Sequence, residues 1–145
     1  MLHLANIAAD PADVLASGQA LDVFKQMIVA QGGDLGVPLP VAAHTRTIEA
    51  AADGYITRLD CLAAGVAAWR LGAGRTHQDD PVDAAAGLLC LKKPGESVAA
   101  GEPVIELHTN DPDRFDGAIS ALEGAIEVGL EPLEPLPLVV ETIRG

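Results

Sequence analysis

The stretch LLCLKKPGESVAAGEPVIEL, residues 88–107, limits the fold more than any other part of the chain. Its apolar runs are interrupted at Pro94-Gly95 and again at Ala100-Gly101, and turns this close together bring extended segments side by side. The segment therefore predicts sheet, with Leu89, Leu91, Val98, Val104, Ile105 and Leu107 as the inward positions.

The segments around it alternate between helical and extended patterns. Asp10 before Pro11 predicts a helix start, with Asp10 as N-cap and the helix running to about Ala16. Leu21, Phe24 and Ile28 place an apolar stripe on a second helix, which opens near Ser17 or Gly18 and stops at Gly32-Gly33. Ahead of both, MLHLANIA has apolar periodicity without a capping residue, so it is expected to be covered by a preceding segment or a partner. DLGVPLPVA, residues 34–42, reads as an extended linker, and the domain boundary is placed there.

Beyond the linker, TRTIEAAADGYITRLD predicts a hairpin around Asp53-Gly54. CLAAGVAAWRLG then switches to helical spacing, with Leu62, Val66 and Trp69 on one face and Gly72 as the stop. Asn110-Asp111-Pro112 opens a further helix carrying Phe115, Ile119 and Leu122, and the proline-punctuated tail is expected to end as an edge strand. No internal repeat is evident. The fold class that follows is α+β, with N-terminal helices leading into a small β-rich domain.

Charge narrows the partners. Nine Lys plus Arg against 21 Asp plus Glu leave a net charge of −12, which repels phosphate backbones and anionic lipid surfaces. Nucleic acid and membrane are therefore not expected as partners. Aromatic residues make up 3% of the chain, too few for a base-stacking platform. No apolar run approaches the roughly 18 residues of a spanning helix, and the first residues lack the basic flank of a signal peptide, so a cytoplasmic location is expected. Cys61 and Cys90 lie in Ala/Leu-rich surroundings without metal-ligand spacing and are read as buried, reduced thiols.

Two places carry candidate chemistry. Lys92 and Lys93 stand beside the Pro94-Gly95 turn, and KKPGESVAAGEPVIEL resembles the half-barrel shared by biotinyl and lipoyl carrier domains. Those carriers set their modified lysine in Met-Lys-Met or Asp-Lys-Ala, neither of which occurs here, so the pair is read as solvated and unmodified. The other place is the polar, glycine-rich stretch Leu71–Pro81, which holds Gly72, Gly74, Arg75 and His77. Its bland reading is a solvated turn with Arg75 paired to Asp79 or Asp80, at about 0–1 kcal/mol. His77 with Asp79 and Asp80 lacks the cage geometry of a metal site, and none is assigned. Gln31-Gly32-Gly33-Asp34 follows a helix instead of opening one and is read as a C-cap.

Three blocks taken together are more specific. SGQALDVFKQMIVAQGGD (17–34), ADGYITRLDCLAAGVAAWRLGAGR (52–75) and DPVDAAAGLLCLKKPGESVAAGEPVIELHTN (80–110) resemble, in order and spacing, the last third of the thymidine phosphorylase and pyrimidine nucleoside phosphorylase family. The resemblance implies a helical end of an α/β domain over 1–34, a linker over 35–44 and a C-terminal domain of carrier-like barrel-sandwich (α/β hammerhead) type over 45–145. It implies a parent enzyme that cleaves a pyrimidine nucleoside with inorganic phosphate as co-substrate. The family's base-gripping Arg, Ser and Lys and its phosphate loop have no match here, so no catalytic residue and no cofactor is assigned to this chain. The expected role is structural, with Gly72, Gly74, Arg75 and His77 in a loop at the catalytic cleft. The expected partners are the catalytic portion of the parent enzyme and a second copy. Some relatives hold a structural cation near the first two helices, where this chain offers Asp13. The competing readings are a carrier-like binding module and a free-standing scaffold.

Overall fold

Asp10 begins the first of the described helices. In a computed structural model that describes residues 8–134, 137 and 139–143, its carboxylate accepts the backbone N–H of Ala12 at 2.8 Å and starts α1, Pro11–Ala16. The expectation for MLHLANIA lies outside the described residues as far as Ile7. α2, Gln19–Ala30, follows Gly18. It ends as a C-cap, where Gly32 N donates to Val29 O and Gly33 N to Ile28 O, each at 2.9 Å. Neither helix contains a buried residue. The linker is bent and not extended throughout, because Asp34 Oδ1 accepts Gly36 N at 2.8 Å and closes a local turn. The chain divides into two compact units, Met1–Leu39 and Pro40–Gly145.

The second unit is α+β. Its strands are β1 (His44–Glu49), β2 (Gly54–Leu59), β3 (Gly87–Cys90), β4 (Ser97–Val98), β5 (Pro103–Thr109) and β6 (Ile126–Gly129). They form two three-stranded antiparallel sheets, ordered β1-β5-β3 and β4-β2-β6. α3 (Cys61–Ala68) and α4 (Phe115–Leu122) pack on each other. Ile56, Leu71, Val104, Ile105 and Leu107 are fully buried at the centre.

The predicted hairpin is replaced by a crossover. β1 and β2 belong to different sheets, because the Ala100-Gly101 turn captures the segment between them. Ala50 N donates to Glu102 O, Gly101 N donates to Ala50 O, and Asp53 Oδ1 accepts Ala100 N at 2.7 Å. Asp53 thus serves the neighbouring turn instead of its own.

Two inward assignments also change. Leu89 is 53% and Leu91 44% exposed, whereas Val98, Val104, Ile105 and Leu107 are buried as expected. Register explains the miss: Leu88 sits opposite Leu107 and Leu89 opposite Glu106, so Leu88 shares the core face and Leu89 does not. α3 turns Leu62 outward, 78% exposed, and packs through Ala63 and Ala67, with Leu71 buried just beyond its end. The helix is apolar all round, so periodicity could not choose its face, and its alanines allow the closest approach.

The edge strand comes earlier than expected. It is β6, paired with β2, and the described residues after Gly129 form no strand. Pro132 and Pro137 remove the backbone donors that a ladder there would need. Cys61 and Cys90 are free but exposed, not buried, because one opens α3 and the other ends β3 at its sheet's margin.

Candidate functional site

After α3 the helix widens into a π-type turn, Trp69–Ala73, and Gly72 leaves it at φ 118, a conformation that favours glycine. Two bonds fix this exit. The Thr109 hydroxyl, fully buried, donates to Leu71 O at 2.8 Å, and Asp83 N donates to Gly72 O at 3.0 Å.

The loop beyond is folded by two side chains that do not belong to its glycine motif. Trp69 Nε1 donates to Arg75 O at 3.1 Å. Gly74 lies so close beneath the indole that a Cβ there would stand 2.6 Å from Trp69 Cδ1. Asp80 Oδ2 accepts the backbone N–H of His77 at 2.7 Å and of Thr76 at 3.0 Å. The amide of His77, foremost, holds the Asp80 carboxyl below its usual range, with help from Thr76 N and the nearby charge of Arg114. The far end is tied at Asp83, whose carboxylate accepts both Ala85 N and Asn110 Nδ2, while Asn110 Oδ1 accepts Ala43 N.

Gly72, Gly74, Arg75 and His77 therefore lie in one loop, and Trp69 and Asp80 are what order it. The expected pairing of Arg75 with Asp79 or Asp80 is not formed; Arg75 Nη1 reaches Gln78 O at 3.5 Å, and Asp80 is occupied by backbone amides. His77 Nδ1 is 3.4 Å from Asp80 Oδ2 and 81% exposed. With its carboxylate already accepting two amides, this pair is built to hold a turn instead of relaying a proton. Among the described residues no group of three or more His, Cys, Asp or Glu is arranged to hold a metal ion. Asp13 stands exposed in the first turn of α1.

Beside the loop is an open cavity of about 380 Å³, lined by Trp69, Arg70, Gly74, Thr76, Asp80 and Arg114 among others. Arg70 Nη1 donates to Gly117 O at 2.7 Å, Arg114 Nε to Asp111 Oδ2 at 3.2 Å, and Arg114 Nη1 to Arg70 O at 3.4 Å. Sequence reasoning did not single out Trp69, Arg70, Asp80 or Arg114 as a group. Only the fold brings α4's leading turn against the end of α3.

The lysines part company. Lys92 is half-hidden, its Nζ 2.6 Å from Glu102 Oε1 and donating to Ser97 O at 3.1 Å, so it is not a freely solvated partner of Lys93. A lysine held this way is poorly placed to carry a swinging arm.

Comparison with known proteins places the chain in a family. Residues 55–129 match the family model described as Pyrimidine nucleoside phosphorylase C-terminal domain. Over 144 residues the chain is 44% identical to a thymidine phosphorylase of Mycobacterium tuberculosis (strain ATCC 25618 / H37Rv), covering 99% of this chain and 34% of that protein. It is 34% identical over 134 residues to a pyrimidine-nucleoside phosphorylase of Geobacillus stearothermophilus, covering 89% of this chain and 31% of that relative. The chain thus spans about a third of the length of the curated relatives it matches. With the family model covering more than half of its residues, the chain belongs to the pyrimidine nucleoside phosphorylase family, through that family's C-terminal domain.

Proposed function

We propose that this chain works as the C-terminal portion of a thymidine (pyrimidine nucleoside) phosphorylase. That enzyme breaks the C1′–N1 bond of thymidine and joins C1′ to an oxygen of inorganic phosphate, giving thymine and 2-deoxyribose 1-phosphate. The observation that carries the reading is the 44% identity across 99% of the chain to one third of a thymidine phosphorylase. Residues 1–34 are then the helical end of the α/β domain, 35–44 the linker and 45–145 the C-terminal domain. The two small sheets are an open variant of the carrier-like barrel-sandwich, or α/β hammerhead, arrangement.

In this reading the reacting groups, and the site for phosphate as co-substrate, lie in the two thirds of the relatives' length that this chain does not match. That catalytic portion is the natural partner, the working assembly is a homodimer, and the setting is the cytoplasm. The chain supplies support and one cleft loop, containing Gly72, Gly74, Arg75 and His77. What supports the loop's role is its construction: tied at Trp69, Asp80 and Asp83, it presents Arg75 without a carboxylate partner among the described residues. Placing phosphate and nucleoside in line is worth ~7–11 kcal/mol of barrier, and a preformed loop contributes to such placement.

Release of thymine from thymidine plus phosphate tests the proposal. The 145-residue chain alone should show no turnover, and the chain preceded by a relative's catalytic portion should restore it. Turnover by the chain alone would overturn the reading. Unaltered kcat and KM in an Arg75→Ala version of the joined protein would retire the cleft loop.

A further inference from the structure

The cavity beside Trp69 has a charge at odds with the rest of the molecule. The chain carries 21 acids and nine bases, so most described arginines find a carboxylate: Arg46 at Asp116, Arg58 at Asp60 and Glu127, Arg114 at Asp111. Arg70 and Arg75 have no carboxylate partner among the described residues, and bond only to the carbonyls of Gly117 and Gln78. Both belong to one place. Arg70 lines the cavity, and Arg75 lies between Gly74 and Thr76, which also line it.

The two guanidiniums in the wall are preset, Arg70 by a backbone carbonyl and Arg114 by the Asp111 carboxylate together with a backbone carbonyl. Gly117 O holds Arg70 through Nη1, and Arg114 is held through Nε and Nη1, which leaves Nη2 of each without a hydrogen bond to the described residues. Asp80, the one acid in the lining, already accepts two backbone amides. A tetrahedral oxyanion matches such a wall, because the remaining Nη2 group of each guanidinium donates a charge-assisted hydrogen bond that one of its oxygens accepts. The room is ample for a phosphate with a small substituent.

We infer that the cavity formed by Trp69, Arg70, Thr76 and Arg114 is a binding site for inorganic phosphate or a small phosphate monoester, held by the guanidiniums of Arg70 and Arg114. It lies wholly on this domain and does not depend on the proposed function, since the chain alone should bind.

Trp69 is the only tryptophan in the chain and forms the cavity wall, so its fluorescence reports this site. Inorganic phosphate, and separately ribose 5-phosphate, are titrated into the 145-residue chain at constant ionic strength, with sodium chloride as the matched control. Expected is a saturable change in Trp69 emission, half-complete at on the order of 1 mM, which weakens about tenfold in Arg70→Gln and in Arg114→Gln. The stronger of the two ligands tells whether the site takes the free ion or the ester. Far-UV circular dichroism of each variant shows that it is folded; if either is not, Arg114→Lys, which keeps the charge but loses the guanidinium, should bind more weakly than the parent. No saturable change with either ligand, a change matched by chloride, or undiminished binding in folded variants would each overturn the assignment.

Discussion

The indole N–H of Trp69 donates to the carbonyl of Arg75, and the same ring leaves no space for a side chain at Gly74. One aromatic side chain thereby sets both the path and the composition of the loop that follows it. Gly74→Ala should lower stability by about 1–3 kcal/mol, because the new methyl must push the ring aside. Trp69→Phe keeps part of the wall but loses the donor, and should cost about 1 kcal/mol. Urea unfolding followed by circular dichroism measures both; an unshifted midpoint in Gly74→Ala would contradict the contact.

Thr109 is the buried polar residue of the core among the described residues, and its hydroxyl donates to Leu71 O in the π-type turn. Thr109→Val keeps the shape and strands the acceptor. A loss of about 1–3 kcal/mol in the same unfolding experiment is expected. Thr109→Ser, which keeps the hydroxyl, should retain most of the stability, and an unshifted midpoint in Thr109→Val would show that the bond contributes nothing.

Leu71 and Leu62 look alike in the sequence but stand on opposite sides of the α3 segment, one fully buried and the other 78% exposed. Leu71→Ala should cost about 2–5 kcal/mol, while Leu62→Ala should stay within about 0.5 kcal/mol. Comparable midpoints for the pair would mean that the helix is turned differently.

Asp60 caps α3 by accepting Leu62 N and Ala63 N, and pairs with Arg58 at 2.7 Å. The Ala63 amide first, then the Arg58 guanidinium, hold its carboxyl below the ordinary value of 3.8. A carboxyl whose value is lower when folded stabilises fully above pH 3.8 and loses that contribution as pH falls through the folded value. Asp60→Asn keeps a capping oxygen and removes the charge. Its stability deficit relative to the parent should be greatest near neutral pH and shrink below pH 3.8; a deficit constant with pH would exclude the charge as its source.

What the sequence revealed divides along physical lines. Local signals were legible: Asp10 and Pro11 opening α1, the Gly32-Gly33 stop, Asp111 capping the turn into α4, and the bends at Gly95 and Gly101. These depend on neighbours within a few residues. Pairing partners were not legible, since an Asp-Gly dipeptide announces a turn but not whether the flanking strands meet. Here the Ala100 amide competed successfully for Asp53. Burial failed where composition gave no contrast, as in α3, and where one step of register decided the outcome, as at Leu88 and Leu89. The loop was found from the resemblance carried by its Leu71-Gly72-Ala73-Gly74-Arg75 stretch, but its organisers were not. The link from Trp69 to Arg75 and the convergence of Arg70 with Arg114 arise from a non-repeating turn and from a distant helix.

The crossover between β1 and β2 shapes how this domain comes into being. β1 waits for β5 and β2 waits for β6, so neither sheet can close on a ribosome until the chain has emerged beyond Thr109 for one and Gly129 for the other. Until then both strands lack their partners and Ile56 of β2 lacks its cover, and formation of the domain is slow for its size because its pairings span long loops. Synthesis rate and chaperone access during that interval, more than the strength of any finished contact, then govern how much of the polypeptide reaches its native form.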